Sequence, residues 1–284
     1  MLRVPATWLA VVLISSSAAV NVSRSAKVVP VSSPSQQPSS NDASPYDSAD
    51  ERALLDLANQ ARAQAGVPPL QIDDGLTQAA RAHAATMAAQ QQLSHQFPGE
   101  PSLTQRLAAT CTLHLDRAGE NVSFAGSLDQ AQENLMHSPP HRENLLNAAY
   151  NVAGFAVVRS GETLYVVQDF AHSLPAYSPR QASDIVSGSV ARARRDANLL
   201  QLRWVDGGTA QTAACAMAKS DSLNGPALQG RHILRYTTML PETLPDSAIA
   251  AIGDRAAQAF TVNTCYARTP TYANGVYWVV LVLY

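Results

Sequence analysis

Apolar residues recur at helical spacing through much of the chain. Leu54, Leu57, Ala58, Ala61 and Ala65 share one stripe of a predicted helix. Ser48-Ala-Asp-Glu51 before it has the form of a capping box, and Gly66 after it is a natural left-handed stop. "VPPLQI" then reads as an extended connector. Leu76, Ala80, His83, Ala84 and Met87 form a second stripe, on a helix starting at Asp73 or Asp74. A loop, "LSHQFPGEPS", leads to a short helix around Leu103 to Ala109, and "AGENVSFAG" is a brief extended stretch. "SLDQAQENLM" is a helix capped by Ser127 with Gln130, apolar at Leu128, Ala131, Leu135 and Met136. "NVAGFAVVRSGETLYVVQDFA" alternates as two strands around a Ser-Gly-Glu turn. Helices first and a hairpin last predict α+β layering rather than alternating βαβ units.

"LMHSPPHRENLL" interrupts this pattern with two adjacent prolines. One helix ends near His137 and another begins with Ser138 as N-cap and Pro139 at the first helical position. His141 then lies in the first turn, where the partial positive charge of the helix start favours a neutral imidazole. His137 stands four residues after Glu133, a spacing that predicts a solvated ion pair.

Sliding the sequence by 132 positions lays "ARAQAGVPPLQIDDGLTQAARAHA" over "ARRDANLLQLRWVDGGTAQTAACA" without a gap. Ala61, Arg62, Ala65, Leu70, Asp74, Gly75, Thr77, Ala82 and Ala84 all recur, and Gly66 is matched by Asn198. "AFTVNTCYARTPTYANGVYWVVLVLY" again reads strand, turn, strand. The pattern predicts an internal duplication with a degenerate second copy. That copy lacks counterparts of "LSH", "GEN" and "SPPH", so those polar groups are not needed for folding. His83, matched by Cys215, reads as a core residue.

Composition narrows the function. The chain has 284 residues and a formal net charge of −2, with no basic stripe suited to nucleic acid. Residues 1–19 have a short basic start, an apolar run and small residues, the form of a signal peptide with a cut after Ala19. The run is short for a membrane span, and an uncleaved anchor is the other reading. Residues 20–47 read as a Ser/Pro-rich tether with little to bury. The predicted organisation is 48–172 as a first domain, 173–183 as linker and 184–284 as the degenerate copy. Of the three cysteines, Cys215 on a core-facing helix and Cys265 on the closing hairpin are expected to pair, leaving Cys111 over. A secreted, periplasmic or envelope-associated location follows, with no transmembrane domain in the mature chain.

"AARAHAATM", "LSH", "AGENVSF", "LMHSPPHRENLL", "NVAGFAVV" and "YVVQDFA" occur in that order over 48–172. This series resembles a bacterial CAP domain, of the cysteine-rich secretory, antigen 5 and pathogenesis-related superfamily. The resemblance implies an αβα sandwich, followed here by the smaller α+β copy, and a cleft lined in many members by two His and two Glu. It maps the first His to His95, the first Glu to Glu120 and the second His to His141. The position of the second Glu holds Ser138, and Leu135 stands where many members have tryptophan. Asn121 is expected to anchor the Glu120 loop and to join the cleft with Ser138, and Gln168 to hydrogen-bond within its strand.

Two imidazoles and a carboxylate can hold a divalent metal such as zinc, with His95 and His141 as ligands; polar groups satisfied at loop ends are the alternative. Three functions stay open. One is an exported binding module for a metal or a small-molecule, lipid-like or peptide ligand. Another is a metal-assisted peptide or ester hydrolase with Glu120 as base. The last is an envelope scaffold without a ligand. Ser138 lacks a strand-to-helix elbow and is a poor nucleophile.

Overall fold

The computed structural model describes residues 46–284; the signal segment 1–19 and all but the last two residues of the tether lie outside them. Chain order begins with α1 (Ser48–Gln64), β1 (Gln71–Ile72), α2 (Asp74–Gln90) and α3 (Leu103–Thr110). Then follow β2 (His114–Ala125), α4 (Leu128–His137), α5 (Pro139–Leu145), β3 (Val152–Ser160) and β4 (Thr163–Leu174). The second half comprises α6 (Pro179–Asp196), β5 (Arg203–Trp204), α7 (Gly208–Ser220), β6 (His232–Thr238), α8 (Asp246–Ile252), β7 (Ala259–Ala267) and β8 (Val276–Leu283). Helix α6 thus takes up the end of the segment read as linker.

The first sheet runs β1-β3-β4-β2 and the second β5-β7-β8-β6, the same strand order. In each, a two-residue strand pairs parallel with the first strand of the closing hairpin, and the other pairings are antiparallel. The α+β prediction and the degenerate repeat are both realised. Gly66 and Asn198 both adopt positive φ, 71° and 53°, as their matched places after α1 and α6 require.

Alternation along the strands builds an αβα sandwich. Phe155 and Val157 of β3 pack with Leu54 and Ala58 of α1, Ala131 of α4 and Leu145 of α5. Ala156 and Val158 point to the other face, against Ala80, Ala84 and Met87 of α2. The second half repeats this: Val186 and Val190 of α6 and Ile252 of α8 cover one face, Ala213, Ala214 and Met217 of α7 the other.

Local details refine the sequence pattern. The N-cap of α1 is Asp47, whose carboxylate accepts from the Ala49 and Asp50 amides, rather than Ser48. An acidic side chain at the true cap outcompetes the hydroxyl one residue later. The buried stripe of α1 includes Glu51 and Arg62 beside Leu54 and Ala58. The "GEN" stretch belongs to a twelve-residue strand rather than a brief one. Cys215 and Cys265 form the expected disulfide, tying α7 to β7, and Cys111 is free and buried. Both sheets belong to one compact unit, in which Arg268 donates to the carbonyls of Ala108 (3.1 Å) and Leu113 (2.9 Å) across the halves. His114 is enclosed there by Tyr266 and Tyr277, with ring centroids at 5.4 and 5.6 Å.

Candidate functional site

The site is built on the edge strand β2, where Glu120 and Asn121 point to opposite faces of the sheet. Glu120 turns toward the loop after α2. Its Oε1 lies 2.9 Å from Nδ1 of His95, and its Oε2 accepts from Arg106 of α3. The Glu120 carboxylate is nearly buried while the His95 side chain is 59% exposed. The ring is therefore the accessible end of the pair and the carboxylate its support.

Asn121 lies in the strand, not in a loop, and its role differs from the expected one. Its Nδ2 donates to the backbone carbonyl of His141 (2.9 Å) and to Gln168 Oε1 (3.2 Å). Asn144 of α5 reciprocates, donating to the Glu120 carbonyl (3.2 Å) and to Asn121 Oδ1 (3.1 Å). These bonds stitch α5 to β2 and so fix His141 relative to Glu120. Gln168 in turn donates to Gln132 (3.2 Å), which extends the buried amide chain to α4 and ends it at Gln132 Nε2, an amide nitrogen with no partner among the described residues.

The result brings His95 and His141 together with ring centroids 6.4 Å apart and 36° between planes. Hydrogen bonding to Glu120 pushes the His95 pKa up, against burial. Burial, then repulsion from His95, lowers that of His141. The neutral His141 expected from the helix start thus has a different cause. Ser138 occupies the N-cap position of α5 with Pro139 following, yet its hydroxyl makes no cap bond. His137 bonds the Glu133 carbonyl (3.0 Å) rather than its carboxylate.

Three residues of this site carried no sequence signal of their own. Arg106 donates to Glu120 and to the His95 (3.3 Å) and Pro101 (3.2 Å) carbonyls, and lies near Glu100 (3.7 Å). Glu100 joins His83, fully buried, whose two ring nitrogens face Glu100 Oε1 (2.7 Å) and the Ser94 carbonyl (2.8 Å). Both ring nitrogens thus have a polar partner within hydrogen-bond distance. This arrangement pins the "LSH" loop to α2. Asp169 of β4 stands directly across from Glu120 in the strand register and is fully buried. Burial, then the Glu120 charge, drives its carboxyl well above the ordinary range.

The donor set tests the metal expectation. Glu120 is committed on both oxygens, and among the described residues no three His, Cys, Asp or Glu side chains are disposed to hold one ion. Two imidazoles remain. Their separation nears the limit of roughly 6.5 Å at which both rings reach one ion in line, given Zn–N bonds of about 2.1 Å. The pair fits a weak two-imidazole site in which Glu120 orients His95 as an outer carboxylate; it does not fit a three-ligand site.

Comparison with known proteins finds a family match within the first half of the chain. The family model of the cysteine-rich secretory protein family, CAP, matches residues 55–170. Uncharacterized protein YkwD of Bacillus subtilis (strain 168) is 32% identical over 117 residues, 40% of this chain and 44% of that protein. Uncharacterized membrane protein YlbC of the same organism is 32% identical over 124 residues, 42% of this chain and 34% of its own length. The match therefore spans less than half of either relative. An extracellular protein containing an SCP domain from Bacillus anthracis str. Ames is 25% identical, with a TM-score of 0.40, covering 44% of this chain and 41% of that one.

Proposed function

We propose that residues 55–170, which match the family model of the cysteine-rich secretory protein family, form a CAP domain, and that the protein is an exported binding module whose ligand enters between His95 and His141. One observation carries the reading: two imidazoles face one another 6.4 Å apart, one braced from behind by a buried carboxylate. Bracing through Nδ1 leaves Nε2 of His95 as the lone-pair nitrogen when the ring is neutral. The cleft can take a divalent ion such as zinc, or a small or lipid-like ligand that hydrogen-bonds both rings. No helix among the described residues is long and apolar enough to cross a membrane. The Cys215–Cys265 disulfide supports an oxidising compartment.

Binding is favoured over hydrolysis by the state of Glu120. A general base needs a free oxygen aimed at water in the cleft; here one oxygen serves His95 and the other Arg106. Calorimetric titration of zinc into the full chain tests the proposal. Saturable uptake that is lost in His95→Ala and in His141→Ala, and kept in Ser138→Ala, is the expected result. A flat zinc trace at millimolar metal excludes the ion as occupant. Zinc-dependent peptide or ester cleavage that disappears in Glu120→Gln would replace binding with catalysis.

A further inference from the structure

The two halves carry the same groove at the same place, and the second has been hollowed out. In the first half it lies between α1, β1 and α2, lined by Glu51, Leu55, Ile72, Arg81 and Phe155, with about 240 Å³ of space. The Arg81 guanidinium narrows it, bonding both Glu51 oxygens at 2.8 and 2.5 Å. The 132-position shift replaces Glu51 by Ser183, Leu55 by Ser187 and Arg81 by Ala213. Aligning the sheets on their parallel pairs sets Val152 against Ala259, and so Phe155 against Val262. Every one of these changes removes volume. The groove of the second half measures about 660 Å³.

Two other replacements add recognition groups to the enlarged space. Ile72 becomes Trp204, which lines the groove and is 53% exposed. Ala156 becomes Asn263, also in the lining, whose Oδ1 is buried with no hydrogen-bond partner among the described residues. A buried amide oxygen without a partner is costly unless something donates to it. Arg180 and Asp184, four residues apart on α6, complete the wall. Their charges oppose one another, so the groove has little net attraction for an ion. The Ser187 hydroxyl and the Gln211 amide oxygen, whose Nε2 is held by the Thr264 carbonyl, add to these charges and leave the groove too polar for an acyl chain.

We propose that this groove binds a sugar ring of a glycan. One large aromatic wall matches the apolar C–H face of a pyranose, and the surrounding mixed donors and acceptors match its hydroxyls. Asn263 lines the groove, and a turn of its amide toward the bound ring lets Oδ1 accept from one of those hydroxyls. The site lies in the other half of the chain from His95 and His141 and does not rest on the reading of that cleft.

The test is an oligosaccharide array probed with the full chain, spanning neutral, N-acetylated and uronic hexasaccharides, followed by calorimetry with each retained sugar. Retention of a neutral or N-acetylated member is expected. Trp204→Ala, at a half-exposed position, should weaken binding by about tenfold or more in protein whose fold is checked by circular dichroism. Asn263→Ala should weaken it too, and His95→Ala should leave it unchanged. The pair Ser183→Glu with Ala213→Arg should abolish binding by restoring the ion pair of the first half. No retained sugar, or undiminished affinity in folded Trp204→Ala, overturns the proposal even if the double variant does not fold.

Discussion

Arg62 and Arg194, 132 positions apart, make matching contacts through Nε and Nη1 in the two halves. Arg62 Nε donates to the Pro68 carbonyl (2.7 Å), Nη1 to those of Leu145 (2.8 Å) and Asn147 (3.0 Å), and Nη2 to that of Tyr150 (2.9 Å). Arg194 Nε donates to Leu200 (2.8 Å), and its Nη1 to Ile252 and Asp254 (both 2.8 Å). Each guanidinium closes the turn after its own helix and caps the carbonyl end of the short helix α5 or α8. The planar fork of donors is what the geometry uses.

Arg62→Ala therefore strands buried carbonyls at the end of α5. A loss of about 3 kcal/mol in urea unfolding is expected, with Arg62→Lys recovering only a minor part because one ammonium cannot span the same acceptors. Full recovery by lysine would show that charge, not the fork, matters. Because α5 carries His141, the alanine variant should also broaden the His141 ring signals in NMR.

Much of the fold was legible because the duplication kept its spacing. The gapless shift exposed Arg62 with Arg194 and Gly66 with Asn198, and alternation in the closing hairpins gave the strands. The site was legible only in part. His95, Glu120 and His141 stood in recognisable motifs, whereas Arg106, Glu100 and Asp169 meet them through loop geometry and strand register, which follow no fixed spacing. Ser138 looked like a capping hydroxyl, yet Pro140 removes the second-position amide that such a hydroxyl can bind, and no cap bond is made.

His95 and His141 should titrate apart. Glu120 raises the His95 pKa, while burial and the His95 charge lower that of His141. Ring-proton NMR against pH should find His95 above the ordinary value near 6.5 and His141 below it. Glu120→Gln should bring His95 down. The linked stability is present in full below the unfolded pKa and fades as pH rises through the higher folded value. Equal midpoints for the two rings would refute the bracing by Glu120.

His114 works in the opposite sense at the junction of the halves. Burial between Tyr266 and Tyr277 lowers its pKa, so the unfolded chain binds its proton more tightly than the folded one. Its contribution is present above the unfolded value of about 6.5 and is lost as pH falls below it. The urea midpoint should drop between pH 7.5 and 5.5, and His114→Phe should flatten that drop. An unchanged slope in the phenylalanine variant would move the acid sensitivity elsewhere.

The Cys215–Cys265 bridge closes a loop with a sequence separation of 50, and its removal in Cys215→Ala with Cys265→Ala should cost about 2–4 kcal/mol. Burial pushes the Cys111 thiol up to about 11, which makes it a poor nucleophile at neutral pH. Alkylation of the native protein should leave Cys111 unmodified until denaturant is added. Rapid labelling of any thiol in the folded chain would contradict both the pairing and the burial.

Gly154 of β3 faces α2 with no room for a side chain: a Cβ there would lie 2.1 Å from the carbonyl carbon of Leu76 and 2.2 Å from the Thr77 nitrogen. Backbone cannot step aside as a flexible side chain can, so Gly154→Ala must lift the start of α2 off the sheet. The same sheet position in the second half holds Thr261, and its side chain is met by Gly207, at the start of α7. Both halves keep a glycine at that helix start, Gly75 and Gly207, and only the second puts a side chain on the strand against it. Gly154→Ala should cost about 1–3 kcal/mol or more, and since α2 carries His83, which anchors the "LSH" loop through Ser94, the His95 pKa should fall toward its ordinary value as the loop loosens. Thermal unfolding paired with His95 titration separates the two effects: lost stability with an unmoved His95 would mean that the loop is held by Arg106 and Glu120 alone.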